Sequence, residues 1–280
     1  MRIVLVGLLL MWTVAATSHQ AWSMPLPPAG ALVDQPLDDL SNDAAAYAKT
    51  RPGAVGVAVV VPDRGVVYTC GGDERFALDS LMKVPILAAE LHRAQQQGRA
   101  LTDHELYLLQ VMITVSDNDA TMELWDDLGG GTALHTYLDS IGLPLIQPDP
   151  YGYWGDSQAS ARDVALLLAK LSWGDILDPS SRAVALSLLS DVVPEQRWGV
   201  TAGLPAEMPQ GTVIGVKNGW YPEDDGWSMN TAGLILPGDN RSGYAIAVLT
   251  SAQPTFESGI ETTEGIAARV NTAMLFGSAI

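Results

Sequence analysis

Strand-like sequence sits at both ends of this chain, and helical periodicity fills the middle. Val55–Val61 and Gly65–Cys70 are β-branched apolar runs joined by Pro62-Asp63-Arg64-Gly65, which reads as a hairpin turn. From Ser80 the period changes: Leu81, Val84, Leu87, Ala88 and Leu91 follow helical spacing to about Gln97. Further helices are expected over Asp103–Ile113, Asp117–Leu128, Thr132–Ile141, Ser160–Leu171 and Pro179–Val192, with Gly129 to Gly131 as a stop signal. Strands return at Thr212–Lys217, Trp227–Leu236 and Tyr244–Ser251, and helices are expected at the edges, Asp38–Lys49 and Glu261–Phe276. This order restricts the fold to α+β. The two chain ends build one five-stranded antiparallel sheet flanked by the terminal helices, and 80–204 form an all-helical lobe between 38–79 and 205–280. A cleft is expected where the lobes meet.

The N-terminus reads as a secretory leader over 1–23. Arg2 precedes an apolar run from Ile3 to Ala16, and Ala21-Trp22-Ser23 offers small residues at the positions a signal peptidase reads. A Pro-rich arm over 24–37 follows, and the mature catalytic unit is expected over 38–280. Localisation is therefore expected to be secreted, periplasmic or cell-envelope, with no membrane contact after cleavage. No cysteine lies near the cleavage site, which speaks against a lipid anchor there. Cys70 is the only cysteine, forms no internal disulfide, and reads as a buried inert thiol.

A formal charge of −17 excludes nucleic acid and anionic lipid as partners, since little would neutralise phosphate. His92, His104 and His135 occur singly, without ligand spacing, so no metal is expected. No Gly-rich loop follows a strand, so no phosphate site and no cofactor are expected. The expected partner is a small-molecule or peptide substrate, and the chain is expected to act as a monomer.

Three short motifs carry chemistry. Ser80-Leu81-Met82-Lys83 is S-x-x-K, Ser116-Asp117-Asn118 is S-D-N, and Lys217-Asn218-Gly219 is K-x-G. Residues three apart share a helix face, so Lys83 can serve Ser80 as a base. It does so only when neutral, and burial together with a second ammonium nearby depresses a lysine pKa. Lys217 is the candidate for that second ammonium. Ser80 at the start of its helix also turns its N–H toward an incoming carbonyl oxygen. Asp117 opens the next helix and reads as an N-cap.

The three motifs, in this order, resemble those of class A β-lactamases and penicillin-binding proteins. The similarity extends to Asp73-Glu74-Arg75-Phe76 before Ser80, to Ser116–Gly130, and to Trp227–Leu236, and so covers nearly all of Asp38–Phe276. The resemblance implies a β-lactamase/transpeptidase-like fold and an acyl-Ser80 intermediate. It implies that Ser116 passes a proton to the leaving nitrogen and that Asn118 binds the substrate amide. Trp220 would supply the second oxyanion N–H, and Lys217 with Ser116 would hold an anionic group of the substrate. Asn218 and Gly219 of K-x-G belong to the same substrate-binding strand.

Four departures stand out. Ser116 follows Ser80 by only 36 positions, so an insert at the cleft rim of typical relatives is missing. The segment between Gly142 and Ser160 contains no Glu where the family's Ω-loop carries the acid that activates water; Asp149 and Asp156 are its only acids. Asn218 stands in place of the usual Thr or Ser, trading a hydroxyl for an amide with a different reach. The family's cationic carboxylate binder has no clear match; Arg197 is a candidate, with a surface position the plainer reading. These readings support an exported serine hydrolase of β-lactamase type, acylated at Ser80 by a β-lactam or related cell-envelope amide or ester. A D-alanyl-D-alanine peptidase or esterase is one alternative. A non-catalytic cell-wall peptide or β-lactam binder is the other.

Overall fold

The computed structural model describes residues 38–276, apart from 63, 240 and 241. The expected leader 1–23 and arm 24–37 lie outside the described residues. Among the described residues no helix is long and apolar enough to cross a membrane.

Five strands form one antiparallel sheet: β1 (Ala54–Val61), β2 (Gly65–Cys70), β5 (Val213–Glu223), β6 (Gly226–Leu236) and β7 (Tyr244–Ser251), in the order β2-β1-β7-β6-β5. Its central strands are buried on both faces, which explains why β1 reads as an unbroken apolar run. Val57, Val59 and Val61 pack with Ile246 and Val248 on one face, against Ala44 of α1 (Asp38–Ala48) and Ile266 and Val270 of α8 (Phe256–Phe276). Ala58 and Val60 pack with Ala245, Ala247 and Leu249 on the other face, toward the helical lobe. The helix α6 (Ala161–Ser172) lies against β1 and β7 on that side. Each fully buried Leu or Ile in these layers contributes about 1.5–3 kcal/mol relative to exposure.

The helical lobe is α2 (Lys83–Gln96), α3 (Asp103–Thr114), α4 (Asn118–Leu128), α5 (Gly130–Ser140), α6 and α7 (Pro179–Ser190). Four of its helices start where a side chain caps them. Thr102 and Glu105 form a capping box, Asp117 accepts from Ala120 N, Ser160 from Asp163 N, and Asp178 from Ser181 N ahead of Pro179.

Some boundaries differ from expectation. Gly129, at φ +94°, ends α4, yet α5 begins at Gly130, so the glycine run is a corner between helices and not a plain stop. The last helix starts five residues earlier than expected, at Phe256, whose ring packs edge-on against Trp227 at 5.5 Å. A short pair, β3 (Arg75–Ala77) with β4 (Gln158–Ser160), was not legible from periodicity. Cys70 is free and half-buried.

Candidate active site

Ser80 lies in a 3-10 turn, Asp79–Met82, that runs straight into α2. The turn is fixed from several sides. Leu78 N donates to Ser157 O at 2.8 Å, and Leu81 N donates to Leu78 O at 2.9 Å. Asp79 takes a left-handed conformation, φ +49°. β5 presses against the same backbone. A Cβ on Gly219 would sit 2.6 Å from Leu78 O, 2.9 Å from Leu81 N and 3.0 Å from Ser80 N. Only glycine allows this approach, so the last residue of K-x-G is what brings the strand edge beside the backbone N–H of Ser80.

Lys83 is the first residue of α2 and is fully buried, at 0% exposure. Its Nζ donates to Ser116 O (2.6 Å), Ser116 Oγ (2.9 Å) and Asn118 Oδ1 (2.8 Å). Lys217, from the middle of β5 and not its end, is also fully buried and donates to Ser116 Oγ (3.1 Å) and Asn218 O (2.9 Å). One hydroxyl therefore sits between two ammonium groups brought from positions 101 and 33 residues away. Ser116 reaches it from a loop at φ +61°, a conformation rare outside glycine. Burial pulls the Lys83 ammonium down to about 7, against a smaller opposing pull from Asp117. Burial also holds Lys217 well below the ordinary lysine range, reinforced by the charge of Lys83. Two desolvated ammonium groups that share a hydroxyl disfavour double protonation, so an amine able to accept a proton near neutral pH sits on the first turn after Ser80.

The remaining sequence candidates divide. Asn118 joins the site through its carbonyl, so its NH2 group is the part that can meet a ligand carbonyl. Asp117 caps α4, as expected. Trp220 lies next to Gly219 on the cleft strand, and its indole packs against Trp198 (5.9 Å) and Phe256 (6.3 Å). Asn218 is corrected. It is fully buried, and its Nδ2 donates to Gln196 O and Trp198 O, both at 3.0 Å. Strand alternation turns it to the face opposite Lys217 and Gly219, beside its cross-strand partner Thr231. The donor that would have met a substrate carboxylate thus anchors the 196–198 loop. Arg197 is half-buried and not a free cation: its guanidinium donates to Ser190 O (2.6 Å) and Ile214 O (3.2 Å).

On the opposite wall, the carboxylate of Asp149 accepts from Tyr151 N (2.8 Å) and Tyr153 N (3.0 Å) and closes its own turn. Asp156 is exposed at the end of a 3-10 turn, Trp154–Asp156. Neither acid bonds Lys83. What stands over Lys83 is Trp154, its ring centroid 4.9 Å from Nζ. Sequence reasoning weighed only the acids of this segment. The available signal was the aromatic run Tyr151-Gly152-Tyr153-Trp154 in a loop. It also passed over Asp79, an acid beside the nucleophile that proves buried. Among the described residues no cluster suited to a metal ion occurs.

The sequence model of the β-lactamase enzyme family matches residues 104–274, a span that holds Ser116 and Lys217 and begins after Ser80. The Mycobacterium tuberculosis protein LppW, named as a lipoprotein, is 28% identical over 232 residues, 80% of this chain and 69% of its own. The structure of an ancestral class A β-lactamase superposes with a TM-score of 0.70 at 28% identity, covering 84% of this chain and 99% of that one. That of a protein named PBP-A gives 0.73 at 25% identity, covering 89% and 98%.

Proposed function

The chain belongs to the β-lactamase enzyme family, and we propose that it is an active serine hydrolase of that fold, acylated at Ser80 by a β-lactam or a related cell-envelope amide or ester. The observation that carries this reading is the Ser116 hydroxyl held between the buried amines of Lys83 and Lys217, with Lys83 on the first turn after Ser80. Neutral Lys83 takes the Ser80 proton as Oγ attacks the carbonyl carbon. The oxyanion that forms is met by the N–H of Ser80 and, across the Gly219 contact, by that of Trp220. Ser116 returns a proton to the departing nitrogen or oxygen as the acyl bond to the leaving group breaks, and Lys83 restores it through their hydrogen bond. Lys217 keeps Ser116 in place and attracts an anionic group of the substrate.

Release is the slower half of the cycle. An indole, and no carboxylate, covers Lys83 where a water would need activation. This favours a long-lived acyl-enzyme, and with it a peptidase, esterase or β-lactam-retaining role over rapid β-lactam turnover. The leader-like 1–23 and the lipoprotein name of the LppW relative support a place in the cell envelope.

Incubation with a fluorescent penicillin and a chromogenic cephalosporin, followed by intact mass, tests the reading. A single adduct that maps to Ser80 and disappears in Ser80→Ala is expected, with slow loss of the label. Absence of any adduct with these β-lactams, and with an activated ester and a D-alanyl-D-alanine peptide offered alongside, would leave only the non-catalytic binder.

A further inference from the structure

Asp79 is a buried titratable group that the acylation chemistry above does not use. It precedes the nucleophile, is 9% exposed, and holds φ +49°. Of the described non-glycine residues, only Asp79, Ser116 and Ala252 adopt positive φ, and the first two sit at the site. Left-handed backbone resists L side chains, and Asp is among the few that reach it with modest strain. Here the side chain holds the conformation. Its Oδ2 accepts from Ser228 Oγ and, at 3.1 Å, from Asn230 Nδ2. The same Asn230 nitrogen donates to Ala77 O at 2.9 Å, and Asn230 Oδ1 accepts from Thr250 N at 3.0 Å, which ties the turn to β7.

The register makes this contact specific to the nucleophile. Gly219 of β5 pairs with Asn230 of β6, and Ser228 lies two residues along on the same face. One strand pair thus delivers both the edge that meets Ser80 N and the two donors that grip Asp79. Burial pushes the Asp79 carboxyl up to about 7, against the hydrogen bond from Ser228, with Glu223 and Asp156 adding to the rise. Such a group is suited to fixing shape and ill suited to supplying charge.

Building on the acyl-Ser80 reading, we propose that Asp79 is a positioning residue: its carboxyl, gripped by Ser228 and Asn230, locks the left-handed turn that holds Ser80 against the Gly219 edge of β5. Three variants separate backbone from side chain. Asp79→Gly permits φ +49° but removes the grip, Asp79→Asn keeps an acceptor of the same shape, and Ser228→Ala removes one donor. Rapid-quench intact mass with benzylpenicillin gives the acylation rate constant and the non-covalent Kd separately. Thermal melts report folding.

Asp79→Gly is expected to lower the rate constant by about thirtyfold or more with Kd within about threefold, because a misaimed nucleophile loses rate and not binding. Asp79→Asn is expected to recover to within about threefold of the parent. Ser228→Ala is expected to cost about tenfold alone and under about twofold in the Asp79→Gly background, since the two groups act as one unit. A folded Asp79→Gly protein that acylates at the parent rate, a loss confined to Kd, or Asp79→Asn no better than Asp79→Gly would each overturn the assignment. If the parent forms no β-lactam adduct, the substrate reading fails instead. Labelling of Ser80 by a small fluorophosphonate, which needs only a reactive hydroxyl, then reads the same ranking, and a flat ranking rejects the role of Asp79.

Discussion

The two walls that meet at Lys83 differ in kind. On one side, the S-D-N loop and β5 supply Ser116, Asn118 and Lys217, all within one hydrogen-bonded cluster around the amine. On the other, the segment between Gly142 and Ser160 supplies the face of Trp154, while Asp149 closes its own turn and the exposed Asp156 makes no hydrogen bond to Lys83. A polar wall of this sort can move a proton from Ser80 to a leaving group. An aromatic wall can lower the polarity around the amine but cannot orient a water. Formation and hydrolysis of the acyl bond are therefore governed from different sides of the same residue, and substitution should separate them.

The largest effect is expected on the polar wall. Lys83→Met should slow acylation by about a thousandfold or more, since it removes the base itself, and adduct formation followed by intact mass would show it. A drop under tenfold would move the base elsewhere and erase the contrast between the walls. Gly219→Ala should follow, with a loss of about a hundredfold in acylation: the added methyl meets Leu78 O and Ser80 N and drives the strand edge away.

On the aromatic wall, Trp154→Glu should leave acylation within about tenfold yet speed release of the adduct by about tenfold or more, because it places a carboxylate over Lys83. Asp149→Asn and Asp156→Asn should change release by less than about twofold in the same assay. A large effect from either would mean that a water is activated from that side after all.

A further expected effect concerns stability. Lys83 titrates at about 7 in the fold against 10.5 ordinarily, so between these values the unfolded chain binds more protons. The cost of burying its charge is full below pH 7 and fades as pH rises toward 10.5. Relative to Lys83→Met, the parent should gain on the order of 3 kcal/mol between pH 7 and 10 in denaturant titrations. A constant difference would mean that the amine is not desolvated.

Much of this was legible in the sequence where local rules suffice. The i, i+3 spacing placed Ser80 and Lys83 on one turn, Asp117 and Ser160 announced helix starts, and β-branched runs marked the sheet. What escaped depends on partners far along the chain. The direction of Asn218 follows from a strand face that only sheet pairing fixes. The grip on Asp79 comes from residues 149 and 151 positions away. Trp154 reaches Lys83 through a loop with no periodicity of its own. The three-residue strands β3 and β4 are too short to show alternation. Phe256 extends α8 because its ring docks on Trp227 and Trp220.

The most direct measurement is the rate of adduct formation on Ser80 as a function of pH. With benzylpenicillin in excess, intact mass at short times should show a single acyl group on Ser80 whose formation rate rises from pH 5 and levels above a midpoint near 7, where Lys83 becomes neutral. An adduct on another residue, or a rate unchanged between pH 5 and 9, would contradict a mechanism in which Lys83 takes the Ser80 proton.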